Sequence, residues 1–220
     1  MRVLVTGGSR GIGRAVCGAF TENGYDVTAP GRSELDLSSY DSVMNFVKEN
    51  KTAVFDSIVN NAGINPIRHL GEISESDMEE TVSVNLLSPL RIIQGFSEGM
   101  KSRRQGRVVN VGSILSVVSK HGRGIYSATK RGLHGLTETF AIELAPYGIL
   151  VNTVSPGFTA TEMTYRNNTE EEIAAIKENI PLGRMADVKE IARIILFLGS
   201  YDNTYITGQN IVADGGYTIQ

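Results

Sequence analysis

The sequence predicts a single-domain α/β fold, a doubly wound parallel sheet with helices on both faces, and three observations carry that expectation. Short apolar runs bounded by glycine, asparagine or serine alternate with segments of helical period. The runs are near-continuous in apolar side chains, as in strands covered on both faces. The 220 residues suit one large domain over 1–220, long enough to bury a core without disulfide or metal staples.

In chain order, strands are expected at Arg2 to Val5, Asp26 to Ala29, Val54 to Val59, Arg107 to Val111, Ile149 to Val154 and Gln209 to Ala213. Helices are expected at about 11–23, 39–49, 75–101, 125–146, 170–179 and 187–199. Ser74 before Glu75 and Asp77, and Thr169 before Glu170, Glu171 and Glu172, read as capped starts with carboxylates at the positive helix end. The polar stretch from Phe158 to Met185 reads as an excursion over a site. No repeat or linker divides the chain.

Composition excludes several function classes. The net charge is −3 and the 21 basic residues are scattered apart from the short run Lys101 to Arg107, so no nucleic-acid partner is expected. Cys17 is the only cysteine, which forbids an internal disulfide, and three separated histidines argue against a metal site. A reducing, cytoplasmic setting fits. The first residues enter a strand pattern directly and no stretch approaches ~18 apolar residues, so a soluble protein with no membrane partner is expected.

Gly7, Gly11 and Gly13 separate the first strand from the helix beginning near Gly11. Missing side chains let backbone approach a phosphate, and helix N-terminal amides supply donors. The spacing G-x-x-x-G-x-G differs from G-x-G-x-x-G and also serves an ordinary tight turn.

Ser113 ends the buried run Arg107 to Val111 and Gly112, at the carboxyl edge where open α/β sheets bind ligands. Tyr126 and Lys130 are four apart on one helix face. An ammonium beside a phenol favours the phenolate and predicts a Tyr126 pKa lowered from about 10. Such a phenol exchanges a proton with an alkoxide while a serine hydroxyl holds the carbonyl oxygen. Taken singly, Ser113 also serves as a strand-end cap, Tyr126 as packing and Lys130 as a surface charge.

With these residues in view, the chain resembles the short-chain dehydrogenase/reductase family over nearly its whole length. It is most similar to the family's short members akin to bacterial 3-oxoacyl-(acyl-carrier-protein) reductases. The matching elements are Thr6 to Gly13, Asn60-Asn61-Ala62-Gly63, Asn85, Ser113, Tyr126-x-x-x-Lys130, Pro156-Gly157 and Asp214-Gly215-Gly216, in family order. The resemblance implies a Rossmann-like fold and an NAD(P)-dependent oxidoreductase interconverting a carbonyl and a secondary alcohol. Tyr126 is then the acid/base, Ser113 orients the substrate oxygen, and Lys130 tunes Tyr126 and binds the nicotinamide ribose. Asn85 completes a water-linked proton relay; a helix kink or internal cap is its structural alternative. Gly7, Ser9, Arg10, Gly11, Ile12 and Gly13 would hold the adenosine ribose and pyrophosphate. Asn61, Ala62 and Gly63 would line the adenosine side, and Pro156, Gly157, Phe158 and Thr161 would lie against the nicotinamide.

An acid at the end of the second strand selects NAD by gripping the ribose 2′-hydroxyl. Here that end reads Ala29-Pro30-Gly31-Arg32, and Arg32 with Arg10 suits a 2′-phosphate. NADP(H) is therefore favoured, with NAD(H) as the alternative and Glu34 as the residue that reverses the preference. Family members generally carry a helix after this strand. In this chain Arg32 is followed almost at once by Glu34-Leu35-Asp36-Leu37, so that helix is missing while Asp36-Leu37 keeps the adenine-side pair.

By the same resemblance, an acyl carrier protein is met by basic residues near the site mouth. Arg104 stands at one such position, and Tyr147 at the other. Substrate choice falls to Ile114–Gly124 and the 158–185 excursion, with Leu115, Val117, Val118 and Met163 as an apolar wall and His121, Arg123 and Arg166 toward polar or anionic groups. That mixture leaves an acyl thioester, a sugar and another small alcohol or ketone open. The segments 75–101 and 125–146 correspond to the family's packing helices, so a homotetramer is expected, with a homodimer next.

Overall fold

The structure, a computed structural model, describes residues 1–220. Six strands form one parallel sheet: β1 (Arg2–Val5), β2 (Asp26–Thr28), β3 (Ser57–Asn60), β4 (Gly106–Val111), β5 (Ile149–Pro156) and β6 (Asn210–Ala213). Their spatial order is β2-β1-β3-β4-β5-β6. The chain moves outward from β1 to β2, then returns across β1 to β3. This reversal opens a crevice beyond the carboxyl ends of β1 and β3.

Eight helices cover the sheet: α1 (Gly11–Glu22), α2 (Tyr40–Glu49), α3 (Glu75–Val82), α4 (Ser88–Arg103), α5 (Gly124–Leu144), α6 (Glu162–Arg166), α7 (Glu170–Glu178) and α8 (Val188–Gly199). Strand alternation divides the core. Val3, Val5, Val59, Val109 and Val111 pack with Val16, Phe20, Ile191 and Ile195 from α1 and α8. Leu4, Ile58 and Val108 face the other way, toward Val43, Phe46, Ile92 and Phe96 from α2 and α4. Both faces are thus buried, which is why the strands read as continuous apolar runs.

Several boundaries move from the sequence expectation. The third strand starts at Ser57, because Val54 is 47 % exposed and precedes the paired residues. Residues 75–101 were expected as one regular helix; they form α3, a π-helical turn at Ser83–Leu87, and α4. Both expected caps form: Ser74 accepts from Asp77 N–H, and Thr169 from Glu172 N–H. No helix follows β2 until α2, and Leu35–Leu37 cross as irregular backbone. No helix is long and apolar enough to cross a membrane.

Candidate active site

A cleft of about 440 Å³ lies over the carboxyl ends of the strands. Its floor is the turn after β1. Gly7 takes φ +68° and Gly11 φ +53°, the left-handed region that favours glycine. At Gly13 a Cβ would stand 2.1 Å from Gly7 O and 2.5 Å from Asn61 Nδ2, so the helix can approach the strand only through glycine. Asn61 locks the turn, its Nδ2 donating to Thr6 O at 3.0 Å and Gly7 O at 3.2 Å. Helix α1 then begins with no side-chain cap and no acid in its first turn. Its first amides are free donors at the positive end of a helix, the donor set a pyrophosphate needs. A nicotinamide dinucleotide fits these residues.

The cleft brings together Gly7, Ser9, Arg10, Gly11, Ile12, Gly13, Arg32, Asp36, Leu37, Asn61, Ala62 and Gly63 along one part, and Ser113, Tyr126, Lys130, Pro156, Gly157, Phe158 and Thr161 along the other. Gly157 is held by the chain's end: a Cβ there would lie 2.6 Å from Asp214 Cα, and Asp214 accepts from Gly216 and Thr218 amides. Arg32 is 3.3 Å from Asp36 and 3.8 Å from Glu80, while Arg10 is 3.6 Å from Glu162. Glu34 does not line the cleft; its carboxylate accepts from Gly31 N–H at 2.8 Å.

Ser113 ends the strand and caps the short turn that follows. Its Oγ accepts from Leu115 N–H at 3.1 Å, and its hydroxyl faces the Tyr126 phenol, whose ionised form it favours. Lys130 lies under this edge, 3 % exposed, donating from Nζ to Val111 O at 2.7 Å and standing 5.7 Å from the centre of the Tyr126 ring. Desolvation pulls the Lys130 pKa down to about 8.

The expected depression of the Tyr126 pKa is not what this arrangement produces. Burial raises the phenol above its usual value, while the Ser113 hydroxyl and the Arg123 charge partly offset that rise. Lys130 directs Nζ to Val111 O and is not among the groups that lower the phenol, so desolvation outweighs the remaining attractions.

Asn85 does not line the cleft. Fully buried in the π-helical turn, it clamps the Ile64 peptide from behind, its Oδ1 accepting Ile64 N–H and its Nδ2 donating to Ile64 O, both at 2.9 Å. Its Nδ2 also reaches Thr129 Oγ1 at 3.2 Å, one helical step from Lys130. Gly63 packs closely against both side chains: a Cβ there would meet Asn85 Oδ1 at 3.3 Å and Lys130 Nζ at 3.4 Å.

Of the expected substrate wall, Leu115, Met163 and Arg123 line the cleft, together with Ile114, Lys120, Asn167 and Asn168, which the sequence reading had not singled out. Val117, Val118, His121 and Arg166 do not. Arg104 is also misplaced for a mouth residue of its own cleft. It sits before β4, at the opposite end of that strand from Ser113, and donates to Pro146 O at 2.6 Å.

A parallel sheet with a glycine-rich turn at its switch point and a serine–tyrosine pair at its carboxyl edge defines a nicotinamide-dependent oxidoreductase. The comparisons make the class specific: the family model described as Enoyl-(Acyl carrier protein) reductase matches residues 29–218. The chain is 35% identical over 233 residues to the 3-oxoacyl-(acyl-carrier-protein) reductase of Vibrio cholerae, covering 97% of this chain and 95% of that one. Among solved structures, a protein described as an NAD(P)-dependent gluconate 5-dehydrogenase from Beutenbergia cavernae, with bound NADP, superposes with TM-score 0.96 at 29% identity, covering 100% of this chain and 97% of that one. A 4-hydroxyisoleucine dehydrogenase complexed with NADH gives TM-score 0.94 at 27% identity, over 100% and 99% of the two chains. The chain belongs to the short-chain dehydrogenase/reductase family and is an oxidoreductase acting on CH–OH groups.

Proposed function

We propose that this enzyme interconverts a carbonyl and a secondary alcohol with NADP(H), Tyr126 serving as the proton donor in reduction. The observation that carries the reading is the shared edge of Ser113 and Tyr126, the serine hydroxyl lying against the phenol. When bound, the nicotinamide dinucleotide supplies hydride for reduction or accepts it for oxidation. Ser113 donates to the carbonyl oxygen and fixes its direction. Tyr126 gives that oxygen its proton, and a phenol held protonated by its surroundings is in the form needed to do so. Lys130 places a cation beneath the phenol as it gives up its proton and offers further N–H donors to the nicotinamide ribose. Asn85 holds the Ile64 peptide and thereby the cleft wall, with Thr129 linking it toward the helix of Tyr126 in the proton route.

Preference for NADP(H) over NAD(H) is supported by two exposed guanidinium groups, Arg10 and Arg32, on the adenosine side and by Glu34 being occupied with Gly31 N–H. Assembly as a homotetramer, or failing that a homodimer, is supported by apolar groups left on the surface, among them Ile142 of α5 at 77 % exposed and Ile219 at 88 %. The unpaired Cys17 suits a cytoplasmic setting.

The relatives' names span an acyl thioester, a sugar acid and an amino acid, so they do not choose the substrate. A 3-oxoacyl thioester remains one reading; the position of Arg104 gives it no help from a carrier protein at this chain's own cleft. The test is NADPH oxidation, and NADP reduction, across a panel of ketones and secondary alcohols. Turnover of any member supports the reading. Tight nucleotide binding without turnover of any of them favours a non-catalytic nucleotide-binding regulator of the same fold.

A further inference from the structure

Two arginines are buried equally, each 7 % exposed, and the protein satisfies them in opposite ways. Arg107 donates to the carbonyl oxygens of Ser200, Asn203, Gly106 and Gly148 over 2.7–3.4 Å. Arg123 makes one hydrogen bond, from Nη1 to Asn65 O at 3.5 Å, and belongs to none of the ion pairs. It lines the cleft three residues before Tyr126.

A largely buried guanidinium with unused donors in the cleft wall is available to an acceptor from outside the protein. The carboxylate whose charge reaches it, Glu172, is committed to the cap of α7, accepting from Thr169 N–H at 2.8 Å. Lys120 lines the same wall with its Nζ 5.7 Å from the centre of the Phe158 ring and no carboxylate partner. The wall beside the phenol therefore carries two cations and no bound counter-ion from the protein.

We infer that Arg123 anchors an oxyanion of the substrate, a carboxylate or a phosphate, placed a few bonds from the carbonyl carbon served by Ser113 and Tyr126. This rests on the oxidoreductase reading and narrows it to an anionic oxo/hydroxy compound. Arg123 is the N-cap of the helix whose first turn carries Tyr126, and both line the same cleft, so one small molecule can reach both groups. The planar fork of arginine matches either oxyanion with two parallel hydrogen bonds.

The test compares matched pairs: acetoacetate against methyl acetoacetate, and dihydroxyacetone phosphate against dihydroxyacetone. kcat/KM with NADPH is measured on the wild type, Arg123→Gln and Arg123→Lys, and calorimetry follows binding of the same four compounds to protein saturated with NADP. In at least one pair the charged member is expected to exceed its neutral partner by about tenfold or more, and that ratio to collapse in Arg123→Gln and survive in part in Arg123→Lys. The pair that shows the preference separates carboxylate from phosphate. Charged and neutral members performing alike, or a preference that Arg123→Gln leaves intact, would overturn the anchor. Arg123-dependent binding of a charged member without turnover of any compound keeps the anchor and sinks the oxidoreductase reading. Turnover of neutral ketones with neither preference nor Arg123-dependent binding does the reverse, and absence of both binding and turnover for the charged members overturns the anchor.

Discussion

Lys130 donates from Nζ to the carbonyl oxygen of Val111 at 2.7 Å, a bond between the fifth helix and the last residue of the fourth strand. It ties the helix that carries Tyr126 to the strand that delivers Ser113. The bond also buries an ammonium, and this has a measurable consequence for stability.

With its folded pKa at about 8 against 10.5 for the free side chain, Lys130 holds fewer protons folded than unfolded across that interval. Stability from this group therefore rises as pH increases from 8 toward 10.5, and the full penalty is present below 8. Lys130→Met removes the penalty, on the order of 3 kcal/mol in unfolding free energy at neutral pH, and should lack the rise. Tyr126, whose folded pKa is raised, works oppositely above pH 10, where the folded chain keeps its proton longer and stability falls. Urea unfolding of wild type and Lys130→Met at pH 7.5, 9 and 10 measures the difference. A stability difference between the two proteins that does not change over this range contradicts the assignment.

Much of this site was legible in the sequence because it rests on strand ends. Ser113 follows a run too apolar to be anything but a buried strand, and Gly7 to Gly13 gather four glycines into one strand–helix turn. What sequence could not show was direction. Lys130 and Tyr126 share a face by spacing alone, yet Nζ donates to the backbone oxygen of Val111 at the strand end. The π-helical turn at Asn85 was hidden inside a segment of regular helical period, although an asparagine there had a kink or cap as its alternative reading. Arg123 and Arg166 looked equivalent as polar residues of the substrate loops; only packing separates the buried cleft residue from the exposed one.

Asn85→Ala leaves both polar groups of the Ile64 peptide without their side-chain partner inside the protein. We expect a loss of about 1–3 kcal/mol in chemical denaturation, together with reduced kcat. Asn85→Asp should restore the acceptor for Ile64 N–H but not the donor for Ile64 O, so it recovers only part of the stability. An alanine variant as stable as wild type would contradict the clamp.

Gly13→Ala places a methyl group against Gly7 O, where 2.1 Å is available. The first helix must shift from the strand, and the variant should lose more than about 2 kcal/mol and bind nucleotide poorly. Gly18→Ala on the same helix meets nothing within 4 Å and serves as the control, expected to be neutral or slightly stabilising. Thermal unfolding with and without NADPH reads both effects.

Arg10 and Arg32 are expected to distinguish the two dinucleotides. Arg32→Ala, and the double variant with Arg10→Ala more strongly, should weaken NADPH binding by about tenfold or more while changing NADH binding little, since charged hydrogen bonds to phosphate contribute about 1.5–3 kcal/mol each. Calorimetric titration with each nucleotide gives the comparison. Equal losses for both would move these arginines off the 2′-phosphate.

The central claim is that the Tyr126 hydroxyl supplies the proton at the edge built by Ser113. Tyr126→Phe keeps the ring beside Lys130 and removes only that oxygen. Single-turnover reduction of a ketone substrate, with NADPH affinity measured in parallel, is expected to show a rate reduced by about a thousandfold, within the range of general acid catalysis, and nucleotide binding nearly unchanged. A phenylalanine variant that reduces its substrate at close to the wild-type rate would contradict the account.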